Sequence, residues 1–462
     1  MSKGKEAVNT FDDFLRAFWL AAGGDADYLS LVRMTGEGDL PSCFAVSDFA
    51  TAALGAAHLA IGELLHTTSN AAPRVVVDRR LASLWFGTSL RAQGWSLPAP
   101  WDAVAGDYRA ADGWIRLHTN ASHHRQAALA VLGTCADREA VAQAVSRWDA
   151  EALETAVVER QGCAAMMRTA QQWAAHPQGL SVGTEPLLHR ISAAPVDKPC
   201  WAVSPERPLR GLRVLDLTRI LAGPVATRFL AGFGAQVLRI DPHGWEEPGT
   251  VPEVVLGKRC ARLNLRDAAE RGVFEHLLSE ADVLVHGYRA DALAHLGFDA
   301  EHRRERNPGL VDVSLNAYGW TGPWRERRGF DSLVQMSTGI ADAGMLAKGS
   351  DKPVPLPVQA LDHAAGYLMA TAAVRGLSQR LATGQGCQVQ ASLARTARLL
   401  MEYPVGVQIP LAPVAVEDFA LDVEHTSWGP AQRLKPAAQV EGSPTRWDLP
   451  GRVLGADEAK WL

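Results

Sequence analysis

From position 209 onward, apolar residues concentrate in short segments at 213–217, 236–240, 283–286 and 310–315. Runs of this length, rich in Val and Leu, are those of strands buried on both faces. Between them the apolar period lengthens to that of a helix. One helix opens at Gly223-Pro224, with proline near its first turn, and stops at Gly232/Gly234; an amphipathic one covers 267–280. Strands separated by helices of this length predict an α/β fold, a Rossmann-like doubly wound parallel sheet. The first strand–helix turn carries a single glycine, so it is not a G-x-G-x-x-G loop and does not predict a dinucleotide site.

The earlier half is patterned differently. It is helical to about Leu65, then β-branched at Arg74-Val-Val-Val77. Asp107 to His118 alternates as a hairpin about Asp112-Gly113, and helical periodicity returns between 123 and 175. Prolines and short polar residues from 193 to 208 predict an extended linker. The chain therefore divides into a helical segment plus strand (1–100), a smaller α+β domain (101–192), the linker (193–208), a Rossmann-like region (209–402) and an extended C-terminal tail (403–462).

An internal echo crosses these boundaries. Pro41 through Val77 aligns without a gap onto Pro355 through Ala391, placing Asp48 on Asp362, Gly62 on Gly376 and Val75 on Val389. Both segments run from proline through an acidic residue and an alanine-rich helix to a β-branched strand. We read this as a duplication.

Composition narrows the class. Of the 462 residues 47% are hydrophobic and 21% charged, as in a globular protein, and a net charge of −5 gives no reason to expect nucleic acid or an anionic membrane. Asp, His, Gly and Arg interrupt the alanine-rich stretches, so no membrane span is expected, and the N-terminus lacks the apolar core of a signal peptide. Six cysteines without C-x-x-C spacing predict reduced thiols, a cytoplasmic setting and no metal site.

Asp362 is the leading candidate for chemistry. A carboxylate at a helix start is held by free N–H groups and the helix dipole, which would keep it ionised. It is either a plain cap or a nucleophile; Ala364, Ala365 and Gly366 beside it leave room for a ligand. His363, its neighbour in sequence, cannot share a helix face with it. Lys258-Arg259, Arg266, Arg289 and the Arg325/Arg327/Arg328 group sit in predicted loops near strand ends, where several cations suit a polyanion such as the phosphates of coenzyme A. Arg303-Arg-Glu-Arg306 reads as a solvated helix face. No G-x-S-x-G elbow, Walker loop or H-E-x-x-H motif is present.

The ordered pieces Leu209-Arg-Gly-Leu-Arg-Val-Leu-Asp-Leu-Thr-Arg-Ile-Leu-Ala-Gly-Pro224, Gly234-Ala-Gln-Val-Leu-Arg-Ile-Asp-Pro242, Gly319-Trp-Thr-Gly-Pro323, Gly329-Phe-Asp331, Asp362 and Thr383-Gly-Gln-Gly386 resemble the family III CoA-transferases. The resemblance implies that family's fold and a transfer of CoA from an acyl-CoA to a carboxylic acid, with the CoA thioester as substrate and no permanently bound cofactor. It implies Asp362 as the nucleophile that forms an aspartyl-CoA intermediate. It also implies a CoA site lined by Ile220, Leu221, Ala222, Leu263, Arg266, Tyr288, Arg289 and Arg328. Family members form interlocked dimers, so a homodimer or an interlock within one chain is implied. Residues 106–191 resemble the family's small domain, which normally follows the catalytic half; here it precedes it. The chain thus reads as a permuted or partially duplicated member, with Asp48 expected to be silent. The family's glycine-rich active-site loop has no clear counterpart, so oxyanion stabilisation needs another donor. Acyl-CoA racemases of the same fold place a histidine where Phe330 stands, which disfavours that alternative; an acyl-CoA-binding paralogue without turnover is the other.

Overall fold

The computed structural model describes residues 10–69, 71–196, 201–287, 292–405 and 408–462. The N-terminal segment forms α1 (Thr10–Ala21), β1 (Val32–Thr35), α2 (Val46–His66), β2 (Val75–Asp78), α3 (Arg79–Trp85) and β3 (Leu90–Ala92). The small domain holds β4 (Gly106–Arg109), β5 (Trp114–Leu117), α4 (Ser122–Leu132), α5 (Arg138–Val145), α6 (Ala150–Glu159), β6 (Ala164–Met166), α7 (Ala170–Ala175) and α8 (Pro177–Thr184). The larger half runs through β7 (His189–Pro195), β8 (Arg213–Leu217), α9 (Ala222–Gly232), β9 (Gln236–Asp241), α10 (Val251–Val254), β10 (Lys258–Arg262), α11 (Ala268–Ser279), β11 (Val283–His286), α12 (Ala292–His295) and α13 (Ala300–Arg306). It continues with β12 (Val311–Asn316), α14 (Asp331–Thr338), α15 (Ile340–Lys348), α16 (Ala360–Thr383), β13 (Gln385–Ser392) and α17 (Leu393–Met401). The last segment adds β14 (Glu424–Thr426), β15 (Gly429–Arg433) and β16 (Ala438–Val440).

Seven strands make the main sheet in the order β10-β9-β8-β11-β12-β13-β7, parallel throughout except for β7, which runs antiparallel on β13. Counted from β8, the six parallel strands lie in the doubly wound order 3-2-1-4-5-6, whose switch point falls between β8 and β11. Alternation sorts the strand residues by face. Val214, Val237, Val283 and Val313 pack with α2, α9 and α16, whereas Leu215, Leu238 and Leu284 pack with Phe274, Leu277 and Phe298 of the opposite layer. Both faces are buried, which is why the strands are rich in Val, Leu and Ile on either side.

The repeat is visible as geometry. α2 and α16 start 314 positions apart, at Val46 and Ala360, and so do α3 and α17, at Arg79 and Leu393. Their N-caps share one uncommon conformation, φ −74°, ψ 57° at Ala45 and φ −76°, ψ 65° at Gln359. Asp78 and Ser392, again 314 apart, cap α3 and α17 through their side chains. The sheet β1-β2-β16, with β1 parallel and β16 antiparallel to β2, repeats β12-β13-β7 in order and direction. α2 and α16, the two copies of one helix, pack on each other.

Several expectations change. The boundary expected at 192/193 falls inside β7, because pairing with β13 continues to Pro195. The stretch expected as a tail is built into the fold: β15 pairs with β3 and β16 with β2. Glu253 is its anchor. It accepts the N–H groups of Ser89 (3.1 Å) and Leu90 (3.1 Å) and binds Arg228 (2.5 Å) and Arg433 (3.3 Å). By length and composition α2 could cross a bilayer, contrary to the expectation that no segment could; 89% of its most apolar window is buried here. Arg303 is not on a solvated face: it is 4% exposed and pairs with Asp312 at 2.7 Å.

The small residues on α16 leave no open space. A Cβ at Gly366 would stand 2.4 Å from the Ala222 carbonyl oxygen, so α9 fills the room a ligand was expected to use. Gly366→Ala should therefore lower stability by about 1–3 kcal/mol, read as a fall in the urea midpoint.

Candidate active site

Asp362 is not the cap of α16. Gln359 is, without a side-chain bond, and Asp362 lies inside the first turn. Its own N–H donates to Asp331 Oδ2 at 2.9 Å. Asp331 opens α14 and is held by Gln335 one turn on, whose Oε1 accepts the Leu356 N–H at 2.7 Å. A residue 31 positions earlier thus satisfies the start of α16 and brings a second carboxyl to Asp362.

This inverts the expected ionisation. Asp362 is 8% exposed, and burial first, then the Asp331 charge, raises its pKa well above the usual carboxylate range. Asp331 is pushed up to about 6, by burial against the lowering effect of its hydrogen bonds. The expected dipole stabilisation fails because the N–H groups at the helix start are already taken by Asp331, and two close carboxyls do not ionise together cheaply.

The turn after β8 meets this helix. Gly366 lies four residues after Asp362, on the same helix face, and touches the carbonyl of Ala222. Ile220 adopts φ +65°, a left-handed conformation that costs a β-branched residue on the order of 1–3 kcal/mol. It is held there by Glu247, which accepts its N–H at 3.1–3.2 Å and also binds Trp245 (2.7 Å) and Arg239 (3.1 Å). Ile220, Leu221 and Ala222 therefore stand at the carboxyl end of β8, the switch-point side of the sheet.

The other CoA-site residues separate. Leu263 is 6% exposed, its side chain spent on the core with Leu277 and Phe298. Arg266 is exposed, and Arg328 donates to the Gln161 carbonyl at 2.7 Å. Tyr288 and Arg289 lie outside the described residues. Of the wider basic set, Lys258 is fully buried in β10, bound to Asp216 (3.0 Å) and Thr227 (2.6 Å); burial lowers its pKa to about 8. Arg259 binds the Lys460 and Glu458 carbonyls, and Arg327 pairs with Glu154 at 3.0 Å. Arg325 pairs with Glu326 at 3.2 Å on the surface. Lys258, Arg259 and Arg327 are structural.

His363 is 1% exposed, stacks on Phe86 with centroids 5.0 Å apart, and is held by burial at about 3. On the other side of Asp331, Phe330 stacks on His118 of the small domain (3.8 Å, 4°) and lies 6.0 Å from His124. Nothing in local spacing singles out His118, His124 or Glu247; for Gln335 the four-residue spacing from Asp331 is a signal. Two cavities lie elsewhere. One of about 300 Å³ opens at the amino ends of β11 and β12, lined by Asp282, Asn307 and Arg380, and an aromatic one is lined by Trp85, Phe229 and Trp447. Neither reaches Asp362. Among the described residues no group of three or more His, Cys, Asp or Glu could hold a metal ion.

Asp48, the repeat's copy of Asp362, is bound by Arg79, which also holds Asp39. The copy of Arg79 is Leu393, so Asp362 has no such cation. Asp48→Asn removes one of the two carboxylates on Arg79 and should cost about 1–3 kcal/mol in a denaturation curve.

Residues 209–431 match the model of CoA-transferase family III. An acetyl-coenzyme A transferase of Hypoxylon pulicicidum is 30% identical over 314 residues, 63% of this chain and 53% of that one. A probable fatty acyl-CoA transferase of Mycobacterium tuberculosis is 31% identical over 204 residues, covering 41% and 51%. An acetyl-CoA:oxalate CoA-transferase of Acetobacter aceti is 32% identical, also covering 41% and 51%. A crystal structure from M. tuberculosis, 30% identical, overlays at a TM-score of 0.39 across 43% of this chain and 60% of that one. The chain spans about half the length of the curated relatives it matches. Over residues 209–431, this chain is similar to CoA-transferase family III.

Proposed function

We propose that the chain transfers CoA from an acyl-CoA to a carboxylic acid, with Asp362 as the covalent nucleophile. The observation that supports this reading is Asp362 itself: a buried carboxyl with no counter-cation among the described residues, in the first turn of a helix packed on α9, within the stretch similar to CoA-transferase family III. In the reaction a carboxylate oxygen of Asp362 attacks the thioester carbonyl and CoA leaves as thiolate. The thiolate then attacks the mixed anhydride at the aspartyl carbonyl, releasing the acid and leaving an aspartyl-CoA thioester. The acceptor acid takes CoA from that thioester by the reverse sequence. Asp331 positions the nucleophile through the Asp362 N–H and disfavours its ionisation until the pair loses a proton.

One observation favours a second reading, binding without turnover: Asp362 is only 8% exposed, so a pantetheine arm reaches it only if the covering elements part. Hydroxylamine trapping separates the two. Incubation with acetyl-CoA and hydroxylamine should convert Asp362 to a hydroxamate located by peptide mass spectrometry; an unlabelled Asp362 would leave the binding reading.

A further inference from the structure

We propose that His118 and His124 of the small domain are the hydrogen-bond donors that hold the acyl oxygen while Asp362 adds to the thioester carbonyl. The inference rests on the transferase reading and supplies the oxyanion donor for which the chain has no glycine-rich loop.

Both imidazoles are 5% exposed, and the Nδ1 of each has no hydrogen-bond partner among the described residues. Native proteins leave few buried polar atoms unpaired, so both nitrogens are open to a ligand atom. Both rings pack on Phe330, His118 face to face at 3.8 Å and His124 at 6.0 Å. Phe330 immediately precedes Asp331, whose carboxyl binds the N–H of Asp362. Two residues adjacent in the chain therefore carry the two contacts, Phe330 with the histidines and Asp331 with the N–H of Asp362.

Their chemistry suits an oxyanion. Burial is the largest cause holding both at about 3, so at neutral pH each is an uncharged imidazole that can donate one N–H without giving up its proton. Arg116 beside His118, and His123 and Arg328 beside His124, contribute the positive surroundings. As the Asp362 oxygen bonds to the carbonyl carbon, the C=O π pair moves to oxygen, where the N–H groups meet it. When the pair returns, the C–S bond breaks and CoA leaves as thiolate. No proton is transferred.

The test is single-turnover formation of the Asp362 hydroxamate from acetyl-CoA. His118→Phe keeps a flat ring on Phe330 but removes the donor; it should slow trapping about 100-fold with half-saturation unchanged within about threefold. His118→Asn restores an N–H donor and should recover part of that loss, which a purely structural role would not explain. His124→Phe is the second variant, should the first not fold. If trapping slows less than threefold in the folded His variants, the donor assignment is overturned. If the unsubstituted protein gives no hydroxamate, the transferase reading itself falls, and this assignment with it.

Discussion

Asp362→Asn is expected to lower CoA transfer by at least about 10,000-fold and, at the same time, to make the protein more stable at pH 8. On the proposed mechanism the loss follows from removing the oxygen that becomes acylated; an amide oxygen does not form the anhydride. The gain follows from burial. The folded-state pKa of Asp362 lies well above its unfolded value of 3.8. Below 3.8 both states keep the proton and burial of the charge costs nothing. As pH rises toward the folded pKa, the unfolded chain ionises first, and folding loses about 1.4 kcal/mol per unit of pH. Asp331 adds a similar loss between 3.8 and about 6. Asparagine never ionises, so its advantage opens above pH 3.8 and widens with pH. Urea curves at pH 4 and pH 8 together with steady-state rates check both halves. A variant that keeps a hundredth of the rate, or that gains nothing at pH 8, contradicts the account.

The largest stability loss should come from Glu253→Ala, about 3–5 kcal/mol. Burial alone would raise the pKa of Glu253, but Arg228 and Arg433 outweigh it and hold the carboxylate below its usual range. Removing it leaves both guanidiniums buried without that partner and frees the N–H groups of Ser89 and Leu90. Because Arg433 sits on β15 and Arg228 on α9, the same change should expose residues 403–462 to protease before the main sheet unfolds. Glu253→Gln keeps the backbone acceptor and should fall between. Equal protease resistance in all three proteins would show that the last segment does not dock through this site.

The main sheet was legible in the sequence because strands buried on both faces record it directly. The run at 213–217 matches β8, that at 283–286 matches β11, and the others differ by a residue. β10 was missed: Lys258 and Arg259 open it, and charged residues read as loop unless their partners, Asp216 and the last residues of the chain, are known. Asp362 was legible as a candidate carboxyl at a helix start, but its buried state was not.

Local sequence determined most of the main sheet's strand and helix order, the repeat at an offset of 314 and the family resemblance, since each is written in spacing along the chain. Tertiary structure alone decided that Asp362 is protonated more readily than a surface acid, that Asp331 and not a cap holds its helix, and that His118 lies beyond Phe330. Desolvation and pairing belong to atoms brought together from 31 or more positions away, and no local pattern specifies who those neighbours are.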